Sequence, residues 1–242
     1  MNPDSTALLP FLKGLGITAT DPNLFLQVFV HRSFLNEHRT FPFGHNERLE
    51  FLGDAVLELV TTEFLYRTYP NPEGELTNWR SALVKGEMLA HVASELGLEP
   101  HLLLSRGEKQ STGKARQLIL ANAFEALLGA LYLDQGYQAT QSFLAEHLLN
   151  RLETVLKDRL YIDAKSDLQE RTQDRLGMTP TYSLLESSGP DHEKQFVVGV
   201  YVNDRLVAQG SGRSKQKAEQ AAATEALKQD APLRDDSSRS SS

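Results

Sequence analysis

The sequence predicts two domains of different class: an all-α N-terminal part and a smaller α+β module of order α-β-β-β-α. Three observations lead there. From Leu24 to Asn150 apolar residues recur at spacings of three and four with few β-branched alternations, and past Leu156 β-rich runs lie between two helical ones. A length of 242 residues suits one large domain or two modest ones, so it permits this division.

In chain order, Leu24–Phe34, Glu47–Tyr66, Leu76–Leu96, Ala115–Leu133 and Tyr137–Leu156 read as helices, broken by Pro70-Asn71-Pro72, by Gly97 to Pro100 and by Gly136. The second module reads as a helix at Lys165–Leu176, strands at Thr181–Glu186, Phe196–Val202 and Leu206–Gln209, and an Ala-rich helix at Lys215–Leu227. Asn203-Asp204 suits a tight hairpin turn, and Ser187-Ser188-Gly189-Pro190-Asp191-His192 a longer loop. The expected domains are therefore 1–156 and 163–229, with a linker at 157–162. Residues 230–242, mostly Ser, Asp and Arg, are an expected disordered tail.

Composition narrows the chemistry. Hydrophobic residues make up 40% and charged ones 24%, enough apolar material for a core. Lys and Arg number 25 against 32 acids, so 25 − 32 = −7, and no overall positive field gathers nucleic acid or anionic membrane. Any nucleic-acid binding must rest on local geometry. The absence of cysteine excludes disulfides, thiolate metal sites and cysteine nucleophiles. Met1 to Pro10 lacks the basic flank of a secretory signal, which gives a cytoplasmic expectation. Leu118–Leu133 falls short of the ~20 residues of a bilayer span and contains Asn122 and Glu125, so it reads as a buried core helix with no membrane partner.

Those two residues open the search for a site. Glu47, Glu50, Asp54 and Glu58 stand at i, i+3, i+7 and i+11, along one face of a helix. Taken alone this is a solvated acidic stripe. Asn122 and Glu125, however, share a face among Leu118, Ile119, Leu120, Ala123, Phe124, Leu127 and Leu128. A carboxylate in such surroundings is neutral, paired or bound to a cation. Arg32, Arg48 and Arg80 are candidate partners for an ordinary ion pair. If the two helices meet, Glu50, Asp54, Glu125 and the Asn122 amide oxygen converge into an all-oxygen set that suits Mg²⁺ or Mn²⁺ and not zinc. Gly53 and Gly129 cost a helix about 1 kcal/mol each relative to Ala, and close helix approach would account for both. A carboxylate-held Mg²⁺ serves phosphodiester hydrolysis.

The run His45-Asn46-Glu47-Arg48-Leu49-Glu50-Phe51-Leu52-Gly53-Asp54 resembles the signature of ribonuclease III, the Mg²⁺-dependent endonuclease of double-stranded RNA. Four further segments agree in order: His31-Arg32-Ser33, Glu73-Gly74-Glu75-Leu76, Gly107-Glu108, and Ile119-Leu120-Ala121-Asn122-Ala123-Phe124-Glu125-Ala126-Leu127. The α-β-β-β-α segment is similar to the double-stranded-RNA-binding domain of bacterial members. The resemblance implies that Glu50, Asn122 and Glu125 ligate Mg²⁺, with Mn²⁺ a substitute, and that Asp54 and Glu125 are most needed for catalysis. It implies that Glu47 and Glu73 flank the cleavage site. It also implies a homodimer in which Phe51 packs across the interface and two centres cut opposite strands, leaving 5′-phosphates and short 3′ overhangs. Ribosomal RNA precursors are the family's usual targets, with messenger and transfer RNA processing among its expected roles. One position departs: the family usually has Asp where this chain has Asn122. An amide keeps an oxygen ligand but removes a charge, so Mg²⁺ is expected to be held less tightly or through water.

In the second module Lys215 and Lys217 occupy the first helical turn, where the macrodipole disfavours cations unless an anion is bound. The alternative is a solvated helix start capped by Ser214. The resemblance implies three RNA-touching surfaces: Gln169 and Glu170 of the first helix at a minor groove, the loop with Pro190 and His192, and Lys215 and Lys217 across the major groove. Gln216 stands where a basic residue is common, and His192 also fits an ordinary loop histidine. Such modules read A-form shape over about 16 base pairs.

Other signals fall away. Gly107 to Lys114 lacks the spacing, the Ser or Thr and the preceding strand of a P-loop, leaving a polar loop near the RNA backbone. The histidines show no metal spacing, and no hydrolase elbow is present. Two other functions compete with the nuclease: a non-catalytic duplex-RNA-binding or ribosome-associated protein on the same scaffold, favoured by Asn122, and an acidic protein adaptor.

Overall fold

Helices α1 (Leu9–Gly14), α2 (Pro22–Val28), α3 (Arg32–Glu37), α4 (Glu47–Thr68), α5 (Glu73–Val84), α6 (Gly86–Glu95), α7 (Gly113–His147) and α8 (Leu152–Lys157) form the first domain. The computed structural model describes residues 4–158, 161, 163–190 and 194–229. Contacts divide the chain into two units, the first ending at Tyr161. The expected tail at 230–242, His192, and positions 159, 160 and 162 of the expected linker lie outside the described residues.

The central pair is α4 and α7. Val56, Leu57, Val60 and Leu65 of α4 are buried with Ala123, Phe124, Leu127, Leu128 and Leu131 of α7, and Leu89, Val92 and Ala93 of α6 close the same core. The segment Leu118–Leu133 is thus largely a core helix, although Leu118 and Leu133 themselves are exposed.

Helix boundaries depart from the periodicity in four places. The expected helix Leu24–Phe34 is two. Val30 instead forms a parallel bridge to Leu103, with the Leu103 N–H donating to the Phe29 carbonyl (2.8 Å) and the His31 N–H to the Leu103 carbonyl (3.1 Å). His31, now extended, caps α3 by accepting the Ser33 N–H. The expected helix Leu76–Leu96 is also two, divided at Lys85 (φ −62°, ψ 142°). Gly136 (φ 80°, ψ −174°) does separate two helical segments of α7, as expected, but the second of them, expected to run from Tyr137 to Leu156, ends at His147, before a 3₁₀ turn at Leu149–Arg151 and α8. Finally, α1 lies in a stretch that carried no helical expectation.

The second domain is α9 (Ala164–Leu176), β1 (Thr181–Ser188), β2 (Gln195–Val202), β3 (Arg205–Gly212) and α10 (Lys215–Gln229). The strands form an antiparallel sheet in the order β1-β2-β3. Asn203 (φ 52°) and Asp204 (φ 58°) make the two-residue hairpin turn their sequence favours. Ser187 and Ser188, expected in the loop, belong to β1 and pair with Phe196 and Gln195. Ala218, Ala222, Ala223 and Ala226 bury one face of α10 beside Ala164, Leu168 and Val200. The helix lies so close to β3 that a Cβ at Gly210 would overlap the Ala222 backbone nitrogen. Small residues on both sides allow that approach.

Candidate active site and nucleic-acid interface

Helix α4 begins at a fixed point. Asn46 is 4% exposed, and its side chain does not cap its own helix. Its Nδ2 donates to the Val28 carbonyl (3.0 Å), its N–H donates to the Val30 carbonyl (2.9 Å), and its carbonyl accepts the Glu50 N–H (2.9 Å). The turn that carries Glu47 and Glu50 is thereby stapled to the extended gap between α2 and α3.

One turn on, α4 meets α7 backbone to backbone. A Cβ at Gly53 would overlap the Glu125 carbonyl, and one at Gly129 would overlap the Leu49 carbonyl and stand 3.1 Å from the Gly53 nitrogen. With no side chain between the helices, the residues beside the crossing face one another. Asn122 of α7 lies beside the Glu50 carboxylate and favours its charged form. Burial, then Glu47 and Asp54, raise the Glu50 pKa, and the Asn122 contact offsets part of that rise. Glu125 responds more: burial first, then the charges of Asp54 and Glu50, push it up to about 7. Among the described residues no cationic side chain contributes to either shift.

The ion-pair alternative for Glu125 can be checked against its candidate partners. Arg80 pairs with Glu58 (3.0 Å) and donates to the Thr62 hydroxyl (2.9 Å), while Arg32 faces Glu47 (3.6 Å). Arg48 lines a cleft with Phe51. Glu50, Asp54 and Glu125 are left as acids that repel one another. Among the described residues no three Asp, Glu or His side chains stand close enough to be a finished metal cage. The donors present fit Mg²⁺ or Mn²⁺ in another way: two carboxylates plus the amide oxygen of Asn122, with water completing the shell. A cation there would favour the charged form of Glu125 against the burial and the neighbouring acids that raise it.

The remaining positions fall nearby or on other surfaces. Glu47 is half-exposed at the start of α4 and also faces His45 (3.7 Å). Glu73 starts α5, accepts the Thr77 hydroxyl (3.0 Å) and lines a cavity of about 460 Å³ with Thr62, Tyr66, Asn71 and Arg80. Phe51 is 82% exposed, pointing away from the core at the edge of a cleft of about 590 Å³ lined by Leu24, Gln27, Leu49, Leu52 and Leu133. The loop before α7 is held in place: Ser33 Oγ accepts the Ser105 N–H (3.1 Å), Ser105 Oγ the Glu108 N–H (3.2 Å), and Glu37 the Arg106 N–H (3.2 Å). Sequence reasoning missed the roles of Asn46 and Arg80. Helix-start rules make Asn46 an N-cap, and its bond to Val28 depends on a segment 18 residues away.

In the second domain Gln169 and Glu170 are exposed on α9, and Lys215 and Lys217 are exposed in the first turn of α10. Ser214 Oγ accepts the Lys217 N–H (3.2 Å), so the helix start is capped and ordered while both lysines point outward. Lys165, by contrast, is spent internally, pairing with Glu219 (2.6 Å) over the Tyr182 ring. Pro190 is exposed at the end of the described part of its loop.

Comparison with known proteins agrees with this two-part architecture. A family model described as ribonuclease-III-like matches residues 21–152, and one for the double-stranded RNA binding motif matches residues 164–229. Ribonuclease 3 of Protochlamydia amoebophila is 45% identical over 214 residues, 88% of each chain. That of Pelotomaculum thermopropionicum is 46% identical over 227 residues, 93% of this chain and 94% of the other. Among solved structures, the nuclease domain of ribonuclease III from Campylobacter jejuni, noted for flexibility in a region involved in dimer formation, superposes with a TM-score of 0.52 at 34% identity. It covers 57% of this chain and 94% of its own. The chain therefore belongs to the ribonuclease III family, an endoribonuclease of double-stranded RNA with a helical nuclease domain followed by a duplex-RNA-binding domain.

Proposed function

We propose that the protein hydrolyses both strands of duplex RNA in a Mg²⁺-dependent reaction, with Glu50, Asn122 and Glu125 holding the ion and Asp54 and Glu125 most needed for cleavage. The supporting observation is the crossing at Gly53 and Gly129, which brings α4 and α7 together so that Asp54 and Glu50 bear electrostatically on Glu125, and Asn122 on Glu50, with no cationic side chain among the influences on either glutamate. When bound, the divalent ion supplies Lewis-acid activation of water and charge stabilisation at the scissile phosphate. The chain's part is to present oxygen donors from two rigid helices, with Asn46 fixing the first turn of one of them. Glu47 and Glu73 flank the cleavage site in this reading.

The same reading takes the protein as a homodimer, with Phe51 of each copy seated in the cleft of the other. An 82% exposed phenyl ring beside an apolar cleft on the same surface favours this, since an isologous interface needs both parts on one chain. Two centres then leave 5′-phosphates and short 3′ overhangs. Gln169, Glu170, Lys215 and Lys217, together with the loop containing His192, grip the duplex by its shape and phosphates. The targets are ribosomal RNA precursors and other structured transcripts in the cytoplasm.

The test is to incubate the protein with a long perfect duplex, with and without Mg²⁺, and to map the ends. Expected are short duplexes with 5′-phosphates and 3′ overhangs in Mg²⁺ alone. Binding without cleavage at any Mg²⁺ concentration would favour the non-catalytic alternative that Asn122 suggests.

A further inference from the structure

The four acids on the polar face of α4 are treated unequally. At one end Glu47 faces Arg32 (3.6 Å) and His45 (3.7 Å). At the other, Glu58 receives Arg80 Nε at 3.0 Å, while Arg80 Nη1 donates to Thr62 Oγ1 at 2.9 Å. Between these ends, Glu50 and Asp54 have no cationic partner among the described residues, and neither does Glu125 across the helix crossing. The unanswered negative charge is thus confined to the middle of the stripe.

We propose that Arg80 is a positioning residue that withdraws Glu58 from the acidic group, so that a divalent ion settles among Glu50, Asn122 and Glu125, beside Asp54, and not one turn further along α4. Glu58 follows Asp54 by four residues, which places their Cβ atoms about 6 Å apart on the same face, within reach of one cation shared by two flexible carboxylates. Left free, Glu58 would make Asp54–Glu58 a second oxygen pair competing for the ion. Arginine is well suited to prevent this, because it stays charged at any working pH and its fork binds Glu58 and Thr62 together, which fixes the guanidinium over one turn of α4.

Arg80 also lies on the same face of α5 as Glu73 and Thr77, at i+7 and i+3 from them. It could therefore serve only as a strut between α4 and α5. The two roles make opposite predictions when the charge of Glu58 is removed as well. A strut stays broken in the double variant, whereas an electrostatic fence is no longer needed.

The proposal rests on the metal-centre reading above, and its test separates the two. Mn²⁺ is titrated into the full-length protein, followed by electron paramagnetic resonance and calorimetry, for the parent, Arg80→Ala, Glu58→Gln and the double variant. Duplex cleavage is measured in parallel. Arg80→Ala should bind more Mn²⁺ per chain, with total affinity up about threefold, while kcat falls about tenfold, since an extra unpaired carboxylate attracts the ion but misplaces it. Glu58→Gln alone should stay within about twofold of the parent in both readouts, and the double variant should return to that range. Arg80→Gln should reproduce the pattern if the alanine variant folds poorly. An unchanged Mn²⁺ isotherm in Arg80→Ala and Arg80→Gln, or a double variant as slow as Arg80→Ala, overturns the fence while leaving the metal centre standing. No Mn²⁺ binding by the parent, or binding indifferent to Glu50→Gln and Glu125→Gln, removes the metal centre and the fence with it.

Discussion

The two domains use the same packing device to opposite electrostatic ends. In the nuclease domain Gly53 and Gly129 let α4 and α7 touch, and partial burial beside that contact, with the charges of Asp54 and Glu50, pushes Glu125 up to about 7. In the RNA-binding domain Gly210 and Gly212 let α10 lie against β3, and the contact buries only alanines, leaving Lys215 and Lys217 in solvent. Close packing tunes chemistry where charged groups border the crossing, and builds a rigid platform where they do not. In the proposed reading, acid chemistry and phosphate binding thereby fall in separate domains of a chain whose net charge is −7.

The most severe way to break this comparison is to add one methyl group on each side of it. Gly53→Ala places a Cβ on the Glu125 carbonyl and should cost the nuclease domain more than about 3 kcal/mol, with loss of cleavage. Gly210→Ala does the same between β3 and α10 and should abolish duplex binding at moderate salt while leaving low-salt cleavage within about tenfold. Thermal denaturation and cleavage at two salt concentrations check both. If Gly210→Ala stops low-salt cleavage outright, the domains are not separable in function.

Glu125→Gln keeps the shape and removes the charge: cleavage should fall by about a hundredfold or more, with duplex affinity unchanged in a filter or mobility assay. Near-normal rates would remove Glu125 from the mechanism. On the other domain, Lys215→Ala with Lys217→Ala should weaken binding about tenfold, evenly across duplex sequences, and lower the salt slope by about two. A sequence-dependent loss would contradict shape reading.

The pH dependence of stability sharpens the contrast further. In metal-free protein Glu125 keeps its proton to about 7, well above its ordinary 4.5, so the folded state holds a proton that the unfolded chain releases between those values. Stability should therefore fall as pH rises from about 4.5 to about 7, by about 1–2 kcal/mol after allowance for solvent screening. Mg²⁺ or Glu125→Gln should flatten the slope in melting curves taken across that range. A metal-free protein equally stable at both ends of the range would show that burial and the neighbouring acids do not raise Glu125 as its placement requires.

The smallest effect is expected at the departure from the family. Asn122→Asp should keep cleavage and lower the Mg²⁺ concentration for half-maximal rate about threefold, because a charge is returned to the donor set. A dead Asn122→Asp enzyme would contradict the assignment of Asn122 as a ligand.

Much of this architecture was legible because the deciding signals were local. Glycines at 53 and 129 inside apolar helices signal close approach, acids at 47, 50, 54 and 58 share a face by helical geometry, and Asn203-Asp204 has the left-handed tolerance a two-residue turn demands. What could not be read were features made by distant partners. The split of Leu24–Phe34 follows from bonds to Leu103, and the bond of Asn46 to Val28 looks locally like nothing more than a helix cap. Lys85 breaks a helix beside Gly86, a weak local signal inside an otherwise continuous helical periodicity. Arg80, Arg32 and Arg48 were equal candidates to neutralise Glu125, and only the packing of α5 on α4 assigns Arg80 to Glu58.

The sequence alone determined the two domain classes, the faces on which the acids and lysines stand, and the family, since periodicity, turn chemistry and motif spacing are properties of neighbouring residues. The tertiary structure decided which carboxylates lose their water and their cations. That depends on where two helix backbones cross, and a crossing is set by the whole core.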